Sequence, residues 1–149
     1  MKTLALSVVG VGVVVAAYLV FIFADGPAQA ELKLHGYDPV SYFNAATPAE
    51  GSPEYSAVHD GARYHFVNAE NRSAFLKQPD KFKPEYDGHC SYGVSLGQKF
   101  DIDPLAYRVV DDRLFLQLDA GTRDVWLEAE QENIRLADSN WPQLRATSN

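Results

Sequence analysis

Leu4 to Phe23 is an almost unbroken apolar run, with Lys2 ahead of it and Ala24-Asp25-Gly26-Pro27-Ala28-Gln29-Ala30 behind it. No polar face interrupts the run, so it does not read as one side of a soluble amphipathic helix. It reaches bilayer-spanning length, and Ala28-Gln29-Ala30 fits a small-x-small cleavage site. Residues 1–30 therefore read as either a cleaved signal peptide or a transmembrane signal-anchor. In both cases Lys2 stays in the cytoplasm and everything after residue 25 lies outside it. The expected location is the periplasm or cell envelope, with anchoring in the inner membrane through residues 4–23 if the segment is kept.

Export leaves roughly 120 residues for folding, enough for one modest core. Setting aside residues 1–30 removes one base, Lys2, and one acid, Asp25, from totals of 13 and 20, so the net charge stays at −7. Nucleic acid is excluded as a natural partner, because phosphate binding needs a basic footprint. Cysteine usage constrains the fold further. A single cysteine, Cys90, forms no intramolecular disulfide. It must be a buried thiol, a metal ligand, a reactive thiol or half of an intermolecular bridge.

The rest of the chain predicts a small α+β domain of two short β-hairpins packed with helices, preceded by the N-terminal hydrophobic helix. Asp38 and Pro39 read as the N-cap and first residue of a helix, with Tyr37 and Tyr42 as its staple. Ala45 to Pro53 reads as a loop. Glu54 to Val67 reads as a hairpin turned at Asp60-Gly61. Setting His59 against Ala62 puts Tyr55, Ala57 and His59 on one face with Ala62, Tyr64 and Phe66, and sends His65 to the other. Asn68 caps a helix whose buried side is Phe75 and Leu76, ended by Pro79. Asp87-Gly88 is a turn delivering His89 and Cys90. Val94 to Phe100 reads as a strand broken at Gly97. A second hairpin pairs Tyr107–Val110 with Leu114–Leu116 across Asp111-Asp112, and one last helix runs from an N-cap at Thr122 to Ala137. Trp126 and Trp141 read as core and lid.

Any thiol or metal chemistry falls between Asp60 and Cys90, next to three of the four histidines. With His59 turned to the aromatic face, the candidate metal set is Cys90, His89 and His65. Thiolate and imidazole suit Cu(I) or another soft metal ion. Four ligands at zinc-finger spacing do not occur. The alternatives are a buried thiol in a structural or protein-interaction module, and a thiol-based redox protein. The last needs an external thiol, because Cys90 has no resolving partner. No catalytic constellation is evident, so an enzyme is not expected.

Gly36-Tyr37-Asp38-Pro39-Val40-Ser41-Tyr42-Phe43, Tyr64-His65-Phe66 with Ala69-Glu70-Asn71-Arg72 and Phe75, the Pro79-to-Tyr86 turn, Gly88-His89-Cys90, Asp103-Pro104 and Asn140-Trp141-Pro142 together resemble the YHS domain family, in its exported bacterial stand-alone branch. The resemblance implies a YHS-like domain over residues 31–142, followed by a tail at 143–149. It also implies an association with heavy-metal handling, and a metal transporter or other envelope protein as partner. In the metal-binding branch thiolates stand at the positions of Ser41, Val67 and Asn71, so three soft ligands expected there are missing here.

Overall fold

The structure, a computed structural model, describes residues 30–147, so the apolar run expected to be a signal or anchor helix lies outside the described residues. The described chain is α+β with two small sheets. In chain order it contains β1 (Glu31–Leu32), α1 (Ser41–Asn44), β2 (Ser52–His59), β3 (Ala62–Phe66), α2 (Ala69–Lys77) and α3 (Pro79–Phe82). The second half contains α4 (Ser91–Ser95), β4 (Asp103–Val110), β5 (Arg113–Gln117), α5 (Ala120–Leu127) and α6 (Glu130–Ala146). No helix among the described residues is long and apolar enough to cross a membrane.

The first hairpin has the register its turn predicts. His59 faces Ala62, Ala57 faces Tyr64 and Ser56 faces His65. Asp60 and Gly61 both adopt positive φ, 50° and 76°, which matches the right-handed twist of the flanking strands. Ala57, Ala62, Tyr64 and Phe66 turn inward and pack on Phe75 and Phe82, while Arg63 and His65 face outward. Beyond Ser56 the pairing slips, and Ser52 meets Phe66 across a bulge. Gly51 lies against the same strand end: a Cβ there would sit 2.4 Å from the His65 carbonyl carbon and 2.6 Å from the Phe66 nitrogen. Its N–H donates to the Gly36 carbonyl at 2.9 Å. The small residues between Ala45 and Pro53 thus include one that lets two backbone segments touch. A third strand that the sequence pattern does not signal, β1, joins β3 in parallel.

The second hairpin also follows its turn, with Val110 opposite Arg113 and positive φ at Asp111 and Asp112. Asn68 caps α2 by accepting from the Asn71 N–H at 2.8 Å. Phe75 is fully buried as expected, but Leu76 is 48% exposed.

Three local expectations are corrected. Helix α1 starts at Ser41, not Pro39, because the Asp38 carboxylate closes a turn onto the Val40 N–H first. Val94 to Phe100, expected to be a strand, is none: Val94 and Ser95 close the helix of residues 91–95, and no strand follows before Asp103. Gly97 is that helix's terminator rather than a strand break: at φ 80° its N–H reaches the Val94 carbonyl, and the Gln98 N–H reaches the Gly93 carbonyl. The final helix is two helices. Asp119, not Thr122, caps α5 by accepting from the Thr122 N–H at 2.7 Å, and the chain bends at Ala129 before α6 runs on to Ala146.

Three groups of buried side chains result. The first hairpin, α2 and α3 enclose one around Phe66 and Phe75. Leu34, Tyr42, Cys90, Ile102, Leu114 and Leu116 form a second. Phe115 and Trp126 centre the third, which α4 and α6 cover with Val94 and Ile134, and against which Trp141 is half-buried. Replacing Gly51 with Ala forces a methyl into backbone atoms that have no side-chain freedom to yield. Gly51→Ala is expected to lower unfolding free energy by on the order of 3 kcal/mol, measured by denaturant titration; a loss indistinguishable from zero contradicts this close approach.

Candidate functional site

Cys90 is delivered by a turn in which Tyr86, Asp87 and Gly88 all take positive φ. The Cys90 N–H bonds to the Phe100 carbonyl at 3.1 Å, and its carbonyl accepts from Val94, so the residue starts α4. Its side chain therefore points inward. Only 1% of Cys90 is exposed. The thiol donates toward the Gln117 side-chain oxygen at 3.6 Å, and the sulfur accepts from the Leu118 N–H at 3.3 Å. Gln117 is itself fully buried, with the same oxygen held by the Tyr92 N–H at 3.1 Å. The sulfur is thus engaged on both sides inside an apolar group of side chains.

His89 faces elsewhere. Its ring lies 6.0 Å from that of Trp141, is half-buried, and is hydrogen-bonded to the Phe100 backbone. Burial lowers its pKa from 6.5, against the opposing effect of that bond, and Lys33 and Lys99 lower it further. His65 sits on the outer face of the first hairpin opposite Ser56, and loss of water with Arg63 nearby lowers its pKa as well. His59 packs edge-on against Phe75 at 6.0 Å, on the aromatic face as the register predicts. Among the described residues no three His, Cys, Asp or Glu side chains form a group that could hold a metal ion. Cys90, His89 and His65 accordingly do not form such a group. His35, which carried no role in the sequence reading, bonds Asp101 at 2.8 Å beside His89 on the rim of a recess of about 460 Å3.

What the sequence reading missed is the use made of Asp38. It is fully buried. One carboxylate oxygen accepts from the Val40 N–H at 2.8 Å; the other accepts from the Val67 N–H at 2.9 Å and from the Asn71 side-chain amide at 2.7 Å. Its carbonyl accepts from the Ser41 hydroxyl at 2.6 Å, and that hydroxyl accepts from the Ala49 N–H at 3.0 Å. Ser41, Val67 and Asn71, the positions at which thiolates stand in the metal-binding YHS domains that the motifs resemble, all meet on this one residue. A donor set of N–H groups surrounds a carboxylate, so the arrangement binds no cation as it stands. The available signal was an Asp-Pro pair with Asn71 capable of donating; local capping explained the pair without requiring a distant partner.

No family model, characterised protein or solved structure matches this chain.

Two outcomes are expected. Asp38→Asn keeps the shape but turns an amide N–H toward one of three N–H donors, and is expected to cost about 2 kcal/mol in unfolding free energy; an unchanged denaturation midpoint contradicts the assigned network. Separately, the folded-state pKa values of His89 and His65 lie below 6.5. As pH falls through that value the unfolded chain takes up these protons first, so stability is full above it and declines toward the depressed folded values. The thermal midpoint should therefore drop between pH 7.5 and 5, and the double variant His65→Gln/His89→Gln should reduce the drop. An identical drop in both proteins assigns it to other groups.

Proposed function

We propose that residues 31–142 act as an exported, non-catalytic binding module of the YHS-like kind, in which Cys90 is a structural core thiol rather than a metal ligand or nucleophile. The observation that carries this reading is the state of the sulfur: 1% residue exposure, with a donor and an acceptor already in place. A thiol in such a place behaves as a small hydrophobe. Nucleophilic or redox use needs a thiolate that solutes can reach and a base beside it. Neither His89 nor His65 stands beside Cys90 in the hydrogen bonds of its sulfur.

The family reading rests on the motifs and on where they meet. The Gly36-to-Phe43 segment, the end of the Tyr64-His65-Phe66 strand and Asn71 lie far apart in sequence and are joined by Asp38. A shared architectural role explains why these stretches occur together without the thiolates of the metal-binding branch. Attachment to, or release from, the membrane at residues 1–30 places the module in the cell envelope, where it presents its surface to a protein or solute.

The test uses the full-length chain in detergent micelles under reducing conditions. Cys90 is expected to react with an aromatic disulfide reagent about a hundredfold more slowly in the native protein than after unfolding in guanidinium. Native labelling as fast as denatured labelling overturns the reading. In parallel, Cu(I) uptake measured by competition with a chromogenic chelator should be unchanged in Cys90→Ser. Uptake of about one Cu(I) that disappears in that variant restores the Cys90, His89 and His65 site instead.

A further inference from the structure

The arginines of this chain divide into two groups. Arg108, Arg113, Arg123, Arg135 and Arg145 each lie between 2.5 and 3.5 Å from a carboxylate. Arg63 and Arg72 have no ion pair among the described residues, and Arg72 donates only from its Nε, to the Ser56 carbonyl at 2.7 Å. Both belong to the outer side of the first sheet. Strand pairing sets Leu32 of β1 and Val58 of β2 on either side of Arg63, and both are 40% exposed. His65, next along that face, stands between Ser56 and Gly36. Loss of water and Arg63 lower its pKa, and no carboxylate opposes them. The nearby acids are engaged elsewhere: Glu31, opposite the inward-facing Ala62, holds Lys33 at 2.7 Å, and Asp60 of the turn meets His59 at 3.3 Å. On a chain of net charge −7 this face is cationic and apolar together.

We propose that the outer face of the first sheet, through Arg63, Arg72, Leu32 and Val58, docks on an anionic phospholipid surface. Exposed aliphatic side chains beside guanidinium groups suit a membrane interface: the former enter the boundary of headgroups and acyl chains, and the latter fork onto phosphate oxygens. Charge sets the orientation. The acidic remainder of the domain is repelled by the same surface, so approach is favoured through this face. The chain also delivers it there, on the reading that residues 4–23 are a retained anchor, on which the proposal rests. Residues 24–30 then join the anchor to β1, and a stretch of that length reaches at most about 25 Å when extended. β1 is a strand of this same sheet, with Leu32 on the face in question. An acidic protein segment answers the arginines but gives Leu32 and Val58 no apolar phase to enter, and no tether holds it nearby.

The full-length chain is placed in nanodiscs of phosphatidylcholine, or of equal parts phosphatidylcholine and phosphatidylglycerol, each carrying a lipid with a headgroup nitroxide, and amide relaxation is measured. In the anionic discs the amides of Leu32, Val58 and Arg63 are expected to be enhanced at least about threefold over those of Trp126 and Ile134, since each arginine near an anionic surface favours docking by about fivefold. The difference should vanish in neutral discs and in Arg63→Gln/Arg72→Gln. Arg63→Gln alone, at a side chain with no bond to lose, repeats the comparison if the double variant unfolds. Equal enhancement at all these amides in anionic discs, or a difference that persists in neutral discs or in both variants, overturns the proposal. Shifts at the same face that grow with protein concentration in neutral discs assign it to a second copy and overturn it too. A chain that washes out of neutral discs refutes the anchor alone, and flotation with phosphatidylglycerol vesicles then decides. Co-flotation lost in Arg63→Gln/Arg72→Gln supports the face; no flotation, or equal flotation of the variant, overturns it.

Discussion

The burial of the Asp38 carboxylate is the constraint on which the first half of the domain depends. A charge removed from water costs several kcal/mol unless it is fully hydrogen-bonded. Here its three donors come from three parts of the chain: Val40 beside it, Val67 at the end of β3, and Asn71 one turn into α2. None of the three bonds can be given up without stranding a buried polar group. The segment before α1, the exit of the hairpin and the start of α2 must therefore assemble together. Asn68 acts in the same place, since its cap on the Asn71 N–H fixes the first turn of α2 and so aims the Asn71 amide at Asp38.

A second constraint governs the other half. Arg113 at the start of β5 bonds Glu85 at 2.9 Å and Asp138 at 2.7 Å, and the Tyr86 hydroxyl donates to the same Asp138 at 2.8 Å. These contacts join the turn before Cys90, the second hairpin and α6. They decide where Cys90 goes. With Tyr86 pinned and the next two residues in left-handed conformation, the chain reverses and drives the cysteine beneath Leu114 and Leu116. The thiol finds its partners at the far end of β5, in Gln117 and Leu118.

Local chemistry made much of this legible. Asp60-Gly61 and Asp111-Asp112 each fix a two-residue turn, and a turn fixes the register of the strands it joins, so the faces of His59 and His65 followed from two residues. Asn68 was readable because a cap bonds within its own turn. The errors lie where the deciding partner is distant. Ser91 to Ser95 carries Gly93 and Val94, poor helix formers, and becomes helical through Cys90, the Gly97 terminator and packing by α6. Asp38 looked like a cap because its short-range bond to Val40 is real; the bonds to Val67 and Asn71 span 29 and 33 residues. β1 is two residues long and pairs in parallel, which leaves no pattern to read.

The same separation of local from distant explains why the chemistry-bearing residues did not gather where the sequence placed them. Cys90 and His89 are neighbours in the chain, but a residue that starts a helix and the residue before it point apart. The sulfur enters the apolar interior, and the imidazole stays at its edge against Trp141. Tyr64 shows the opposite behaviour. Its ring belongs to the core around Phe75, yet its length carries the hydroxyl past that core to the charged end of the hairpin. Alternation along β3 puts Tyr64 inward, while Asp60 and Gly61 close the strand beside it.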